Sequence, residues 1–248
     1  PLNDPAEVVE VLWNGVNDHT RVLFLSHITS PTGLVLPVAE LVRRARERGI
    51  ITILDSAHVP GQLDCNLHDL GCDFASGNFH KWTLAPKGSA FLYARQEMQH
   101  LVEPLIVSWG WQAQVPGPNR FVDEQEWTGT RDPSAWLATP RALQFFEDER
   151  WPQVRQRCHQ LLLETRRRVL DLFDRPPLCP AEPWLAQMAT LPLPDGDLAA
   201  FGRRLRNEFQ IEAPVMEFAG HNWVRISVQG YNTQDDLDAF VEAMGQLG

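Results

Sequence analysis

The segment of this chain best suited to covalent chemistry is Ser76-Gly77-Asn78-Phe79-His80-Lys81-Trp82, followed at once by Ala85-Pro86-Lys87-Gly88. A lysine amine attacks a carbonyl only in its neutral form, so a Schiff-base lysine needs a sheltered position, and a strand end lined by polar residues provides one. Lys81 has that setting. Lys87, just before Gly88, reads as an exposed turn residue, and on pattern alone two surface lysines are an equal reading. The second group is Asp55-Ser56-Ala57-His58, directly after the apolar run Ile50 to Leu54. An acid at the carboxyl end of a parallel strand faces the ligand crevice of an open α/β sheet. There it can keep a pyridine nitrogen protonated, which makes the ring an electron sink. A lone aspartate in this position is more often a helix cap or turn acid, and His58 reads equally as a hydrogen-bonded core histidine.

These residues need strands to carry them. The first half alternates short apolar runs with amphipathic stretches, the pattern of βα units building a largely parallel sheet. Arg21 to Leu25 (RVLFL) reads as a buried strand. A helix follows from Pro37 through Val38, Leu41, Val42 and Ala45 to a stop at Gly49. Ile50 to Leu54, β-branched and apolar throughout, reads as a strand covered on both faces. Phe74 to Ser76 and Ser89 to Ala94 read as two more strands on either side of Lys81. Trp109 to Pro133, rich in Trp, Gly and Pro, reads as a long ordered loop. Ser134 to Phe173 is helical with a break at Trp151 and Pro152, and the proline-rich run Arg175 to Pro183 marks a boundary or crossover. Strand, helix, strand, strand and helix follow over Gln187 to Leu191, Leu198 to Glu208, Ile211 to Glu217, Trp223 to Val228 and Gln234 to Met244.

Taken in this order, Ser26-His27-Ile28-Thr29-Ser30-Pro31-Thr32-Gly33, Asp55 to Gln62 (DSAHVPGQ) and Ser76 to Gly88 (SGNFHKW and APKG) resemble the class V aminotransferase family. Within it, the isopenicillin N epimerase-like group shares the DxAHxPG, GNxHKW and APKG forms. The resemblance implies the α/β fold of type I pyridoxal 5'-phosphate (PLP) enzymes. Residues 1–140 would form the later portion of the PLP-binding large domain, with its mostly parallel sheet, and residues 141–248 a small C-terminal α/β domain. It also implies site roles. Lys81 would hold PLP as a Schiff base, Asp55 would pair with the pyridine nitrogen, and His58 would lie near the ring oxygen. Ser76 and His80 would bind the phosphate, and Thr29 matches a position that touches the ring oxygen in desulfurases. Trp127-Thr128-Gly129-Thr130 resembles a loop whose threonine reaches the phosphate of a neighbouring subunit, so Thr130 implies a homodimer with shared active sites. Val224-Arg225-Ile226-Ser227 with Tyr231-Asn232-Thr233 resembles the family's RxS and YNT segment, where Arg225 would grip the substrate carboxylate through a two-pronged pair. A strand arginine in a surface ion pair is the plainer alternative.

The family normally carries an N-terminal part before the strand at Arg21, with a phosphate-binding loop and a residue that stacks on the ring; neither is found in this chain, which opens at Pro1. No cysteine occurs in Leu191 to Phe201, where desulfurases place a mobile one, so persulfide chemistry is disfavoured. Composition narrows the rest. The formal net charge of −10, from 32 acidic against 22 basic residues, argues against nucleic acid and anionic membrane surfaces as partners. No apolar run reaches the roughly 18 residues needed to cross a bilayer. The eight histidines form no metal-ligand spacing, and the four cysteines form no CxxC pair, as expected of reduced thiols in a cytoplasmic protein. The expectation is a PLP enzyme acting at the α-carbon of an amino acid, epimerase-like first. An aminotransferase or carbon–sulfur lyase comes second, and a non-catalytic fragment or dimerisation module is the reading from another class.

Overall fold

A computed structural model describes residues 2–248. After helix α1 (Pro5–Trp13), the first half runs β1 (Val22–Ser26), α2 (Val38–Glu47), β2 (Ile51–Asp55), α3 (Leu67–Leu70), β3 (Phe74–Asn78) and β4 (Ala90–Ala94). The four strands form one sheet in the order β1-β2-β3-β4. The first three are parallel, and β4 returns antiparallel to β3. Alternate residues of a strand face opposite sides, so Leu25, Leu54 and Ala75 share one face. There they pack with Val38 and Val42 of α2 and with Cys72. Gly49, in the left-handed region at φ +66, ends the α2 segment as its sequence predicts.

The opposite face departs from expectation. The Ile50 to Leu54 run reads as doubly covered, yet Ile51 and Ile53 are only half-buried. Beside them Val22 and Phe24 are 46% and 65% exposed, and Leu92 of β4 is 49% exposed. Strand composition reports an apolar environment; which polypeptide supplies it is not written in the strand.

A 3-10 helix (Gln96–Leu101) leads to α4 (Arg120–Glu126), α5 (Ser134–Asp148) and α6 (Trp151–Phe173). α4 corrects the reading of Trp109 to Pro133 as pure loop. The Asn119 side chain accepts the Val122 N–H, and Arg120 pairs with the buried Glu124 one turn on, so local capping makes a helix where apolar periodicity is weak. The break between α5 and α6 falls at Arg150, held at φ +52 just before Trp151 and Pro152.

The second half carries β5 (Met188–Pro192), α7 (Leu198–Phe209), β6 (Val215–Phe218), β7 (His221–Ser227) and α8 (Gln234–Leu247). Its sheet, in the order β5-β7-β6, is antiparallel throughout. β6 begins at Val215, later than its apolar run suggests, because Pro214 has no N–H to give a ladder. α6, α7 and α8 build the largest core against this sheet, with Leu162, Leu191, Leu205, Val224, Phe240 and Met244 among its buried members.

Candidate active site

β1 and β2 end level with each other at Ser26 and Asp55, while β3 runs two residues further, to Asn78. Their register aligns Ser26 with Asp55 and Asp55 with Ser76, so a row of polar side chains crosses the carboxyl end of the parallel strands on the less covered face. Asp55 Oδ1 accepts the Ala57 N–H at 2.9 Å. It is therefore a turn acid, as the plainer reading holds, while its second oxygen takes no hydrogen bond among the described residues. Ser76 is exposed in this row.

Lys81 sits in a tight loop pinned at both ends. The Ser89 carbonyl accepts the backbone N–H groups of Phe79 and His80, at 3.1 and 3.3 Å, and His80 Nδ1 at 3.0 Å; Ala85 N–H closes onto the Phe79 carbonyl at 3.1 Å. Leu84 is forced to φ +62, uncommon for a residue with a branched side chain. The loop therefore fixes Lys81 while its neighbours satisfy the backbone. Lys87 is exposed before Gly88 at φ +96, as its turn reading requires.

His58 is 9% exposed and faces this loop. Its Nδ1 accepts the Trp82 indole N–H at 3.0 Å, and its Nε2 lies 3.5 Å from Lys81 Nζ. Burial, then the charges of Lys81 and Arg225, push the imidazole down to about 4, against a smaller opposing effect of Asp55. His58 is thus both a hydrogen-bonded interior histidine and a neighbour of Lys81.

Arg225, on β7 opposite Thr190, is no surface ion pair. It donates from Nη1 to the Ser30 carbonyl, and its Nε is buried with no partner among the described residues. Burial lowers the pKa of its guanidinium. Its other side borders a cleft of 890 Å3 lined also by Arg203, Arg206, Ser227 and Tyr231, a cleft that does not include Lys81 or Asp55.

Of the expected site residues, among those described, only Lys81 and His58 meet through hydrogen-bonding side chains, and Thr29 and Thr130 join neither. Thr29 Oγ1 accepts the Leu34 N–H at 2.9 Å and shares a hydrogen bond with Thr32 Oγ1 at 2.6 Å, so its hydroxyl closes its own loop. Thr130 is exposed, and no side-chain hydrogen bond joins it to the other site residues among those described.

Sequence reasoning missed four residues that hold the centre. Gln62 donates to the His58 carbonyl at 2.8 Å and accepts the Gln187 N–H at 3.0 Å. Gln187 donates to the Val228 carbonyl at 2.9 Å, and Gln229 donates to the Trp82 carbonyl at 3.0 Å. Trp82 is the fourth. The available signal was a glutamine inside an apolar run, as in Gln187-Met188-Ala189, since a buried amide needs partners. Among the described residues no group of three or more His, Cys, Asp or Glu is arranged to hold a metal. Likewise no helix among them is long and apolar enough to cross a membrane.

Comparison with known proteins places the chain among relatives. The family model for class-V aminotransferases matches residues 6–240. An isopenicillin N epimerase from Amycolatopsis lactamdurans is 37% identical over 258 aligned positions, covering 100% of this chain and 65% of that protein. A probable chloroplastic L-cysteine desulfhydrase from Arabidopsis thaliana is 30% identical, over 92% of this chain and 51% of that one. Two solved structures share the fold. The apo cysteine desulfurase of Thermococcus onnurineus NA1 aligns with TM-score 0.79 at 20% identity, over 98% of this chain and 62% of its own. A C-DES mutant with glycine covalently linked to its PLP cofactor aligns with TM-score 0.80 at 22% identity, over 97% and 64%. The chain thus spans 65% of the length of the epimerase relative that it matches along its whole extent.

Proposed function

The chain belongs to the class-V aminotransferase family, and from that premise we propose that it serves a PLP-dependent enzyme acting at the α-carbon of an amino acid or amino-acid-derived substrate, in the manner of isopenicillin N epimerase. The observation that carries this reading is the approach of Lys81 Nζ to His58 Nε2, 3.5 Å apart, beside the row of strand ends that holds Asp55. The residues present fit the cofactor. An amine, a free carboxylate oxygen and an imidazole converge, and the buried hydroxyls of Ser56 and Thr83, with His27 Nδ1, have no partner among the described residues. Buried polar groups of this kind call for a polar ligand or water.

When bound, PLP supplies an electron sink for negative charge at the substrate α-carbon. Lys81 would hold the cofactor through its amine and serve as the base for the α-proton, and reprotonation on the opposite face would give epimerisation. Asp55 would keep the proton on the pyridine nitrogen, and His58 would lie near the ring oxygen. Ser76 and His80 would hold the phosphate, and Thr29 would reach the ring oxygen only by giving up its bonds to Leu34 and Thr32. Thr130 would reach the phosphate of a second copy, so that the working form would be a homodimer with shared active sites. Arg225 exchanges the Ser30 carbonyl for the substrate carboxylate, a stronger, charge-assisted partner. The four free cysteines are consistent with a reducing, cytoplasmic setting.

The second reading, an aminotransferase or carbon–sulfur lyase, is favoured by the desulfhydrase similarity. Exchange of the α-proton with solvent without release of a keto acid marks an epimerase, a keto acid an aminotransferase, and sulfide or pyruvate a lyase. The test of the whole reading is the purified protein mixed with PLP. A visible band near roughly 400 nm that borohydride fixes onto Lys81 is expected, and Lys81→Ala should abolish both. A band and turnover that survive Lys81→Ala would overturn the assignment, and no band with PLP in excess would favour a non-catalytic module.

A further inference from the structure

His58 has two ring nitrogens, and the structure commits one of them. The Trp82 indole N–H is a donor only, and it points at Nδ1 from 3.0 Å. A neutral imidazole that accepts on Nδ1 carries its proton on Nε2. Nε2 is the atom that faces Lys81 Nζ, at 3.5 Å. We propose that Trp82 is a positioning residue that fixes the tautomer of His58, so that the ring presents a hydrogen-bond donor, never an acceptor, to the Lys81 amine and to the ring oxygen of a bound cofactor. This rests on the reading above for the identity of that cofactor and on geometry alone for the tautomer.

Three features keep the pair in register. Trp82 is 7% exposed and packs with Ile28, Val59 and Met188. Its carbonyl accepts from Gln229, while the His58 carbonyl accepts from Gln62, so both backbones are tied to buried amides. Gly61, at φ +90, lets the DSAHVPGQ turn press against the loop; a Cβ there would lie 2.7 Å from the Trp82 carbonyl. The charged groups around the imidazole are Lys81, Arg225 and Asp55, and together with burial they leave it neutral above about pH 4. A second proton would have to enter at Nδ1, against the indole N–H. The chemical consequence is directional. A donor at Nε2 is satisfied by a neutral lysine amine or by an ionised ring oxygen, the forms that attack a carbonyl and delocalise charge, respectively.

The test is histidine-labelled protein followed by nitrogen NMR across a pH titration, without and with PLP. His58 should show one tautomer, protonated on Nε2, and should accept a second proton only near pH 4. Trp82→Phe removes the donor but also thins a buried site. Replacing Trp82 by benzothienylalanine keeps the bicyclic shape and removes the N–H alone. In either variant the Nδ1–H tautomer should appear beside the other, and the midpoint of His58 should rise toward the ordinary histidine value of about 6.5. The visible band of the loaded protein should change its own pH midpoint as well. A wild-type ring protonated on Nδ1, or a benzothienylalanine variant with tautomer and midpoint both unchanged, would overturn the proposal. If Lys81 is fixed to PLP by borohydride in every variant while the tautomer never responds, only this inference fails. If the tautomer responds and Lys81 is never fixed, the cofactor reading fails instead.

Discussion

The sheet of β1 to β4 bears most of the candidate site, and the sheet of β5 to β7 bears the largest core. In the first, α2 covers one face, and the other leaves Val22, Phe24 and Leu92 exposed, with Asp55 and Ser76 at the end of the same face. In the second, all five residues of β5 are buried, and three helices close over the strands. The candidate site takes its rigidity from the better-packed sheet. Apart from Arg225 on β7, the main candidate residues, Lys81, Asp55, His58 and Ser76, stand on or beside the less covered sheet. Yet the His58 backbone is held by Gln62, which also accepts the Gln187 N–H just before β5, and the Trp82 backbone by Gln229 from the turn after β7. Precision at the centre is borrowed through buried amides.

Leu191→Ala should produce the largest effect on that contrast. Leu191 is fully buried in the core of the second sheet, and truncating a buried leucine costs about 2–5 kcal/mol through lost transfer energy and the cavity left behind. Denaturant unfolding should show that loss, with the first sheet destabilised alongside if the amide ties are real. Unfolding in two steps, with only the second half affected, would break the picture of one sheet lending rigidity to the other.

Gln62→Leu probes the ties directly. It removes the acceptor of the Gln187 N–H and the donor to the His58 carbonyl at a site 2% exposed. Leaving buried partners unmade costs about 1–3 kcal/mol. The NMR signals of His58 should broaden or multiply in this variant even where the protein remains folded. A variant as stable as the parent, with a single sharp His58, would show that packing alone positions the imidazole.

How much of this was legible in the sequence follows the same division. Asp55 ends β2, Ser76 lies within β3, and His58 and Lys81 follow in the loops after them, where a short apolar run followed by polar residues announces itself locally; the register then brings Asp55 and Ser76 side by side. The gap at Arg150 and the end of the α2 segment at Gly49 were readable for the same reason, because proline and glycine act on their own backbone. Trp82, Gln62, Gln187 and Gln229 were not, since their hydrogen bonds join residues 125 or 147 positions apart, or bind a ring to a ring, and no spacing records that. α4 was hidden because one cap and one ion pair, rather than an apolar stripe, define it. The open face of β1 and β2 was misread because β-branched residues state a preference for apolar surroundings without naming their source.

That open face yields the smallest expected effect and the sharpest control. Phe24 is 65% exposed, so Phe24→Lys in this chain removes little buried area and should change stability by less than about 0.5 kcal/mol. It also places a charge among Val22, Ile51 and Ile53, which should reduce self-association measured by light scattering, because an apolar strand face at a sheet edge is a template for sticking. A loss of several kcal/mol instead would mean that Phe24 is covered in solution, by a second copy or by further polypeptide. The contrast between a covered and an uncovered sheet would then belong to the isolated chain alone. Repeating the measurement over a range of protein concentrations separates those two covers, since only pairing of copies makes the cost of Phe24→Lys grow with concentration.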